Sequence, residues 1–250
     1  MASSQLVWLN HDIELLHGLV SKNEDLFSVV GNHDDLTAQN HAIVLADLFY
    51  RAIDCATGLS QVLADRGRVP TLVLSRALLE ASLNLKYIRS LPDPAHGSLV
   101  LRAFSLMKWI EIFDDDQTAV AEWRAILARM PKTAVDEATL RCAGIRGWTG
   151  KSVKDLCDIA GFKPYSVYKH LSVESHGGIV GRHAVLVRES EGSGSFTVGS
   201  SLDDLEVEST ANFGRRMLHA TFKAAWDGIG GPKVELKTSN PDEWVEAAGA

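Results

Sequence analysis

Disulfide-forming, membrane-spanning and broadly cationic features are all scarce in this chain of 250 residues. The three cysteines, Cys55, Cys142 and Cys157, are odd in number, far apart and without a Cys-x-x-Cys spacing. They signal neither a disulfide framework nor a zinc knuckle, and they fit a reducing compartment. No segment approaches the ~18 consecutive apolar residues of a membrane span. Residues Met1 to Asn10 lack a basic flank followed by an apolar core. The expectation is a cytoplasmic protein with no membrane partner. A net charge of −7 and a pI near 5.7 exclude a surface that coats nucleic acid generically, while a local basic groove stays compatible with them. No repeat, low-complexity block or long linker interrupts the chain. One domain over 1–231 is therefore expected, with a loosely held tail over 232–250.

What is present is helical periodicity. Leu6, Leu9, Ile13, Leu16, Leu19 and Val20 predict an amphipathic helix within Gln5 to Val30. Thr37 to Ala64 reads as a second helix, with Gly67 as the left-handed residue after its end. Pro70 suits the first turn of a third, Thr71 to Ser90, apolar on most faces. His96 to Phe113 and Thr118 to Met130 follow, with Asp114, Asp115 and Asp116 as cap and first-turn acids of the latter. A short helix and loop are expected over Lys132 to Gly150, then helices over Ser152 to Ala160 and Pro164 to His176. Ala184 to Arg188 and Ser195 to Val198 alternate as strands around a glycine-bearing turn. A last helix spans Asp203 to Asp227. The predicted fold class is mainly α, a multi-helix bundle with one small β-hairpin near residues 184–199.

Two polar rows break the oily helical pattern. Arg76, Glu80 and Asn84 recur at a spacing of four, and so do Tyr168, Ser172 and His176, with Ser175 beside the last. Buried arginine and glutamate need partners, so the rows are expected to meet in one polar inter-helix cleft. In that cleft His176, with Glu80 and Arg76, would carry any proton transfer or charge stabilisation, because imidazole titrates near neutral pH. Asn84, Tyr168, Ser172 and Ser175 would bind ligand.

Other motifs are weaker. No His-Glu-x-x-His or Glu-x-x-His pair places two metal ligands on one helix face, so no metal site is predicted, and no cofactor signature is present. Gly150-Lys151-Ser152 resembles the end of a phosphate loop, but Ile145 stands where its first glycine belongs. Gly192-Ser193-Gly194 lacks the strand-turn-helix context of a dinucleotide site.

At Arg76-Ala-Leu-Leu-Glu80, Trp148-Thr-Gly-Lys-Ser152 and Tyr168-Lys-His-Leu-Ser172-Val-Glu-Ser-His176, the chain resembles the domain of unknown function 5677 family of uncharacterised bacterial helical proteins. The resemblance covers about Leu45 to His176. It implies a helical fold and a shared polar constellation and supplies no activity. The chain is also similar, less closely, to the HEPN group, whose nuclease members use an arginine followed by four to six intervening residues and a histidine, often from two subunits. Arg89 and His96 fit that spacing, although Pro92 and Pro94 interrupt the interval. This likeness implies a metal-independent ribonuclease acting on RNA, as a toxin or bacterial defence component, in a homodimer. The leading expectation is recognition of a small-molecule ligand or partner in the polar cleft; the ribonuclease and an interaction-only assembly protein are the alternatives.

Overall fold

The computed structural model describes residues 4–22, 36–144, 147–161, 168, 185–188, 196–199 and 202–230. Among them are eight helices: α1 (Ser4–Lys22), α2 (Leu36–Ala64), α3 (Arg68–Ser90), α4 (Pro94–Ile112), α5 (Gln117–Arg129), α6 (Lys132–Cys142), α7 (Val153–Ile159) and α8 (Asp204–Gly228). The fold is mainly α. Two four-residue strands, β1 (Val185–Arg188) and β2 (Phe196–Gly199), pair antiparallel with Val185 opposite Gly199. The expected turn between them, at 189–195, lies outside the described residues.

The chain divides into two compact units. One comprises Met1–Lys22, Tyr50–Ser82 and Lys163–Thr221; the other comprises Asn23–Phe49, Leu83–Phe162 and Phe222–Ala250.

In the first unit, α1 buries Leu6, Leu9, Ile13, Leu16 and Val20, whose alternating three and four spacing keeps them on one face. Each fully buried leucine contributes about 1.5–3 kcal/mol. Gly214 of α8 lets Leu59 and Leu9 approach closely, since a Cβ there would stand 2.8 Å from Leu59 Cδ2. The end of α2 corrects one expectation. Arg66, not Gly67, takes the left-handed conformation, at φ 55°. Gly67 N donates to Val62 O at 2.9 Å and Arg66 N to Leu63 O at 3.2 Å, the two bonds of a Schellman motif with Arg66 at its left-handed position. The Arg66 side chain offsets the strain: Nη1 donates to Leu202 O at 3.1 Å and Nη2 pairs with Asp204, while Leu202 N donates to Arg66 O at 3.1 Å.

In the second unit, α4 packs along α6 and against α5. Fully buried Ala134 and Ala138 present the small face on α6 that close packing requires. Helix α4 begins at Pro94, two residues before the expected start, because the Asp93 carboxylate caps it by accepting from His96 N at 2.9 Å. The acidic run before α5 also differs from expectation. Only Asp116 caps, accepting from Ala119 N at 3.0 Å, and no acid occupies the first turn of the helix. Asp114 and Asp115 lie in the preceding turn.

Candidate functional site

In the first unit, α3 places Arg76 and Glu80 one turn apart. Arg76 Nε donates to Glu80 Oε1 at 2.8 Å, and Nη2 lies 3.5 Å from the Tyr168 hydroxyl. The guanidinium carbon sits 5.5 Å from the centroid of the Tyr168 ring, within range of a cation–π contact. Arg76 is 21% exposed and Glu80 45%. A helical i,i+4 pair this accessible contributes only about 0.3–0.5 kcal/mol, so its consequence is orientation of the guanidinium and not stability. The Glu80 hydrogen bond, helped by the charges of Glu80 and Tyr168, raises the Arg76 pKa above its ordinary value, while burial opposes it. Arg76 therefore stays protonated at any accessible pH, with the Glu80 carboxylate beside it as counter-charge.

The second row is described only at Tyr168, which is helical. Ser172, Ser175 and His176 lie outside the described residues. Asn84, the third member of the first row, makes its bond elsewhere: it accepts from Trp148 Nε1 at 3.0 Å, in the second unit. The helical period explains this, since each step of four residues rotates about 40° and two steps turn Asn84 about 80° from Arg76.

Around Trp148 the second unit has a pocket that sequence reasoning missed. It has a volume of about 220 Å³ and apolar walls of Tyr87, Leu91, Pro92, Val100 and Trp148, with the Tyr87 and Trp148 rings edge to face at 5.3 Å. Asp93, His96, Glu137 and Arg141 form its polar side. Glu137 Oε2 lies 3.0 Å from His96 Nε2, and Oε1 accepts from Arg141 Nη2 at 3.0 Å. Hydrogen bonds from His96 and then Arg141 hold the Glu137 carboxyl below its usual range. An ionised carboxylate only accepts, so the proton of a neutral His96 imidazole sits on Nε2 and the lone pair on Nδ1. That arrangement can move a proton. Arg141 is held in turn by its surroundings: a Cβ on Gly150, whose φ is +63°, would stand 1.9 Å from Nη1. The Glu137–Arg141 spacing of four was legible in the sequence. The 41-residue separation of His96 from Glu137 had no sequence signal.

Arg89, proposed as the nuclease partner of His96, is exposed near the end of α3. Among the described residues no hydrogen bond or ion pair joins it to His96. Ser152 serves α7 as an N-cap in a reciprocal capping box with Asp155, which accounts for the phosphate-loop likeness at Gly150-Lys151-Ser152.

A second charged cluster, in the first unit, ties α1 to α8. Arg215 donates from Nε to Asp12 Oδ2 at 2.8 Å and from Nη1 to Gln5 Oε1 at 2.7 Å, and its guanidinium lies over the Trp8 ring at 5.8 Å. His219 Nε2 is 3.0 Å from the same Asp12 oxygen. Burial pushes the Asp12 carboxyl up, but His219 and Arg215 outweigh it and hold it below the usual range. Arg215 and Asp12 are 4% and 5% exposed, which suits a structural anchor better than a ligand contact.

Among the described residues, no group of three or more His, Cys, Asp or Glu could hold a metal ion, and no helix is long and apolar enough to cross a membrane. The chain matches no curated protein and no solved structure. A family model does match, over residues 42–193, a span that contains Arg76, Glu80, His96, Glu137, Trp148 and Tyr168. By that match the chain belongs to a family of unknown function, DUF5677.

Proposed function

We propose that this protein recognises a small polar ligand, or a partner presenting one, at a site built on Arg76, Glu80 and Tyr168 and completed by Ser172, Ser175 and His176. The observation that carries this reading is the Arg76 guanidinium, oriented by Glu80 and set over the Tyr168 ring while still reaching the surface. A fixed planar cation beside a phenol recognises charge and shape together. The reading takes the protein to be cytoplasmic and homodimeric. Thermal-shift measurements with panels of nucleotides, amino acids and carboxylates test it. One ligand class should raise the melting temperature of the wild type and fail to do so in Arg76→Lys and Glu80→Gln, whose unliganded melting temperatures stay within about 1 °C of wild type, as a weak exposed pair requires. Variants that melt earlier yet keep the full ligand shift would make the cluster structural.

A second reading is favoured by the Glu137-oriented imidazole of His96. In it the chain is a metal-independent, HEPN-like ribonuclease of bacterial defence, with His96 moving the proton and Arg141, in the same pocket, supplying the cation expected of Arg89. Incubation with labelled RNA in a chelator decides it: cleavage abolished by His96→Ala supports this reading, and intact RNA across several substrates removes it.

A further inference from the structure

At the end of α4 and the start of α5, large apolar side chains stand in water. Trp109, Ile112 and Phe113 are 44%, 65% and 49% exposed. The Trp123 ring joins them, 5.7 Å from the Trp109 centroid and 6.0 Å from that of Phe113. Single exposed apolar residues are ordinary, but a contiguous group of two tryptophans, a phenylalanine and an isoleucine is the composition of an interface centre.

The charge around the group selects its occupant. Between Lys108 and Arg124 the sequence holds five acids and two bases. Lys108 is already occupied, donating to Glu111 at 2.7 Å. Asp116 is spent on capping α5. The carboxylates of Asp114 and Asp115 have no hydrogen-bond or ion-pair partner among the described residues, and both are exposed. Helix capping therefore leaves two negative charges unexplained beside an exposed aromatic surface. Glu122 and Arg124, both exposed on α5, cancel in sum, so a second copy docked face to face through this patch would set Asp114 and Asp115 against their own equivalents with a single arginine per copy to offset them. Nucleic acid and anionic lipid would meet the same repulsion. A cationic protein segment would gain from both features, by Coulomb attraction to the aspartates and by stacking of arginine or lysine on the indoles.

We infer that the surface formed by Trp109, Ile112, Phe113 and Trp123, with Asp114 and Asp115, docks a basic amphipathic segment of another protein. This goes beyond the ligand site on Arg76 and shares no residue with it.

The test uses the full chain and two synthetic amphipathic peptides with the same leucine and tryptophan face, one carrying lysine and arginine on the polar face and the other glutamate. Binding is measured by calorimetry. The basic peptide should bind and the acidic one should not. The Asp114→Asn/Asp115→Asn double variant should weaken binding about tenfold, and raising salt should act in the same direction. Ile112→Ser/Phe113→Ser should abolish binding while leaving the helical circular dichroism unchanged, and Ile112→Ser alone, at the most exposed of these positions, should weaken binding with no change in melting temperature. No binding of the basic peptide, equal binding of the two peptides, or full binding by the Ile112→Ser/Phe113→Ser protein would overturn the inference. So would self-association, or attachment to phosphatidylserine vesicles, that disappears in that same double variant.

Discussion

Trp148 donates its indole Nε1–H to Asn84 Oδ1 at 3.0 Å, joining the loop before α7 to the last turns of α3. Trp148 is only 8% exposed, so loss of the acceptor leaves a nearly buried donor without a partner. Asn84→Leu should destabilise the protein by about 1–3 kcal/mol in urea unfolding. Asn84→Asp, which keeps an acceptor oxygen, should cost less. Neither change should alter ligand shifts assigned to Arg76, since Asn84 serves the indole.

Arg215 and Asp12 are buried together, and removal of Arg215 leaves the Asp12 carboxylate with His219 as its remaining charged partner. Arg215→Leu should cost about 3 kcal/mol, the low end for breaking a buried pair because His219 stays on Asp12, read from denaturant midpoints. The double variant Asp12→Leu/Arg215→Leu should recover part of that loss, because burying neither charge is less costly than burying one alone. A double change as damaging as the sum of the single changes would show that the anchor acts through something other than charge.

His41 Nδ1 lies 2.7 Å from Ser98 Oγ. Burial, reinforced by the charge of Arg89 and opposed by Asp93, holds its imidazole below its usual value. The unfolded chain then binds the proton more readily than the folded one. The resulting stability is fully present above the unfolded value of about 6.5 and is lost as pH falls through the lower folded value. Melting temperatures from pH 8 to pH 5 should decline, and His41→Gln should flatten the decline.

Glu137 follows the same sign in a more acidic window. Its carboxyl is held below the ordinary glutamate value by His96 and Arg141, so its contribution is complete above about pH 4.5 and disappears as pH drops below that. Glu137→Gln should remove this limb of the acid-denaturation curve while leaving the His41 limb in place.

Gly150 has a φ of +63° and lies against the Arg141 guanidinium. Gly150→Ala should cost about 1–2 kcal/mol from the left-handed backbone alone. It should also displace Arg141 from Glu137, which a weakened Glu137 acid limb would report.

The described helices were legible because burial imposes a period that composition alone cannot hide; the helix expected over Pro164 to His176 lies, except for Tyr168, outside the described residues. Leu6, Leu9, Ile13, Leu16 and Val20 mark one face of α1, and Ser152 marks the start of α7. The Arg76–Glu80 pair was legible for the same reason, being a local relation on one helix. Long-range pairings were not. Asp12 finds Arg215 across 203 residues, and His96 finds Glu137 across 41; no pattern in either neighbourhood encodes the other. Asn84 illustrates a subtler failure. A spacing of four predicts one stripe, yet the accumulated rotation of the helix is enough to give its third member a different partner. The aspartate run departs in the opposite direction: a helix start predicts a cap and first-turn acids from all three, and only Asp116 caps.

Arg66 occupies a backbone position that a glycine would fill with less strain, and its guanidinium and carbonyl grip the chain at Leu202 and Asp204. The terminus of α2 and the threshold of α8 are thereby a single junction, closed without covalent continuity. Arg66→Gly would relax the left-handed backbone and at the same time release the guanidinium from Leu202, so this residue exchanges local strain for a tie spanning 136 residues.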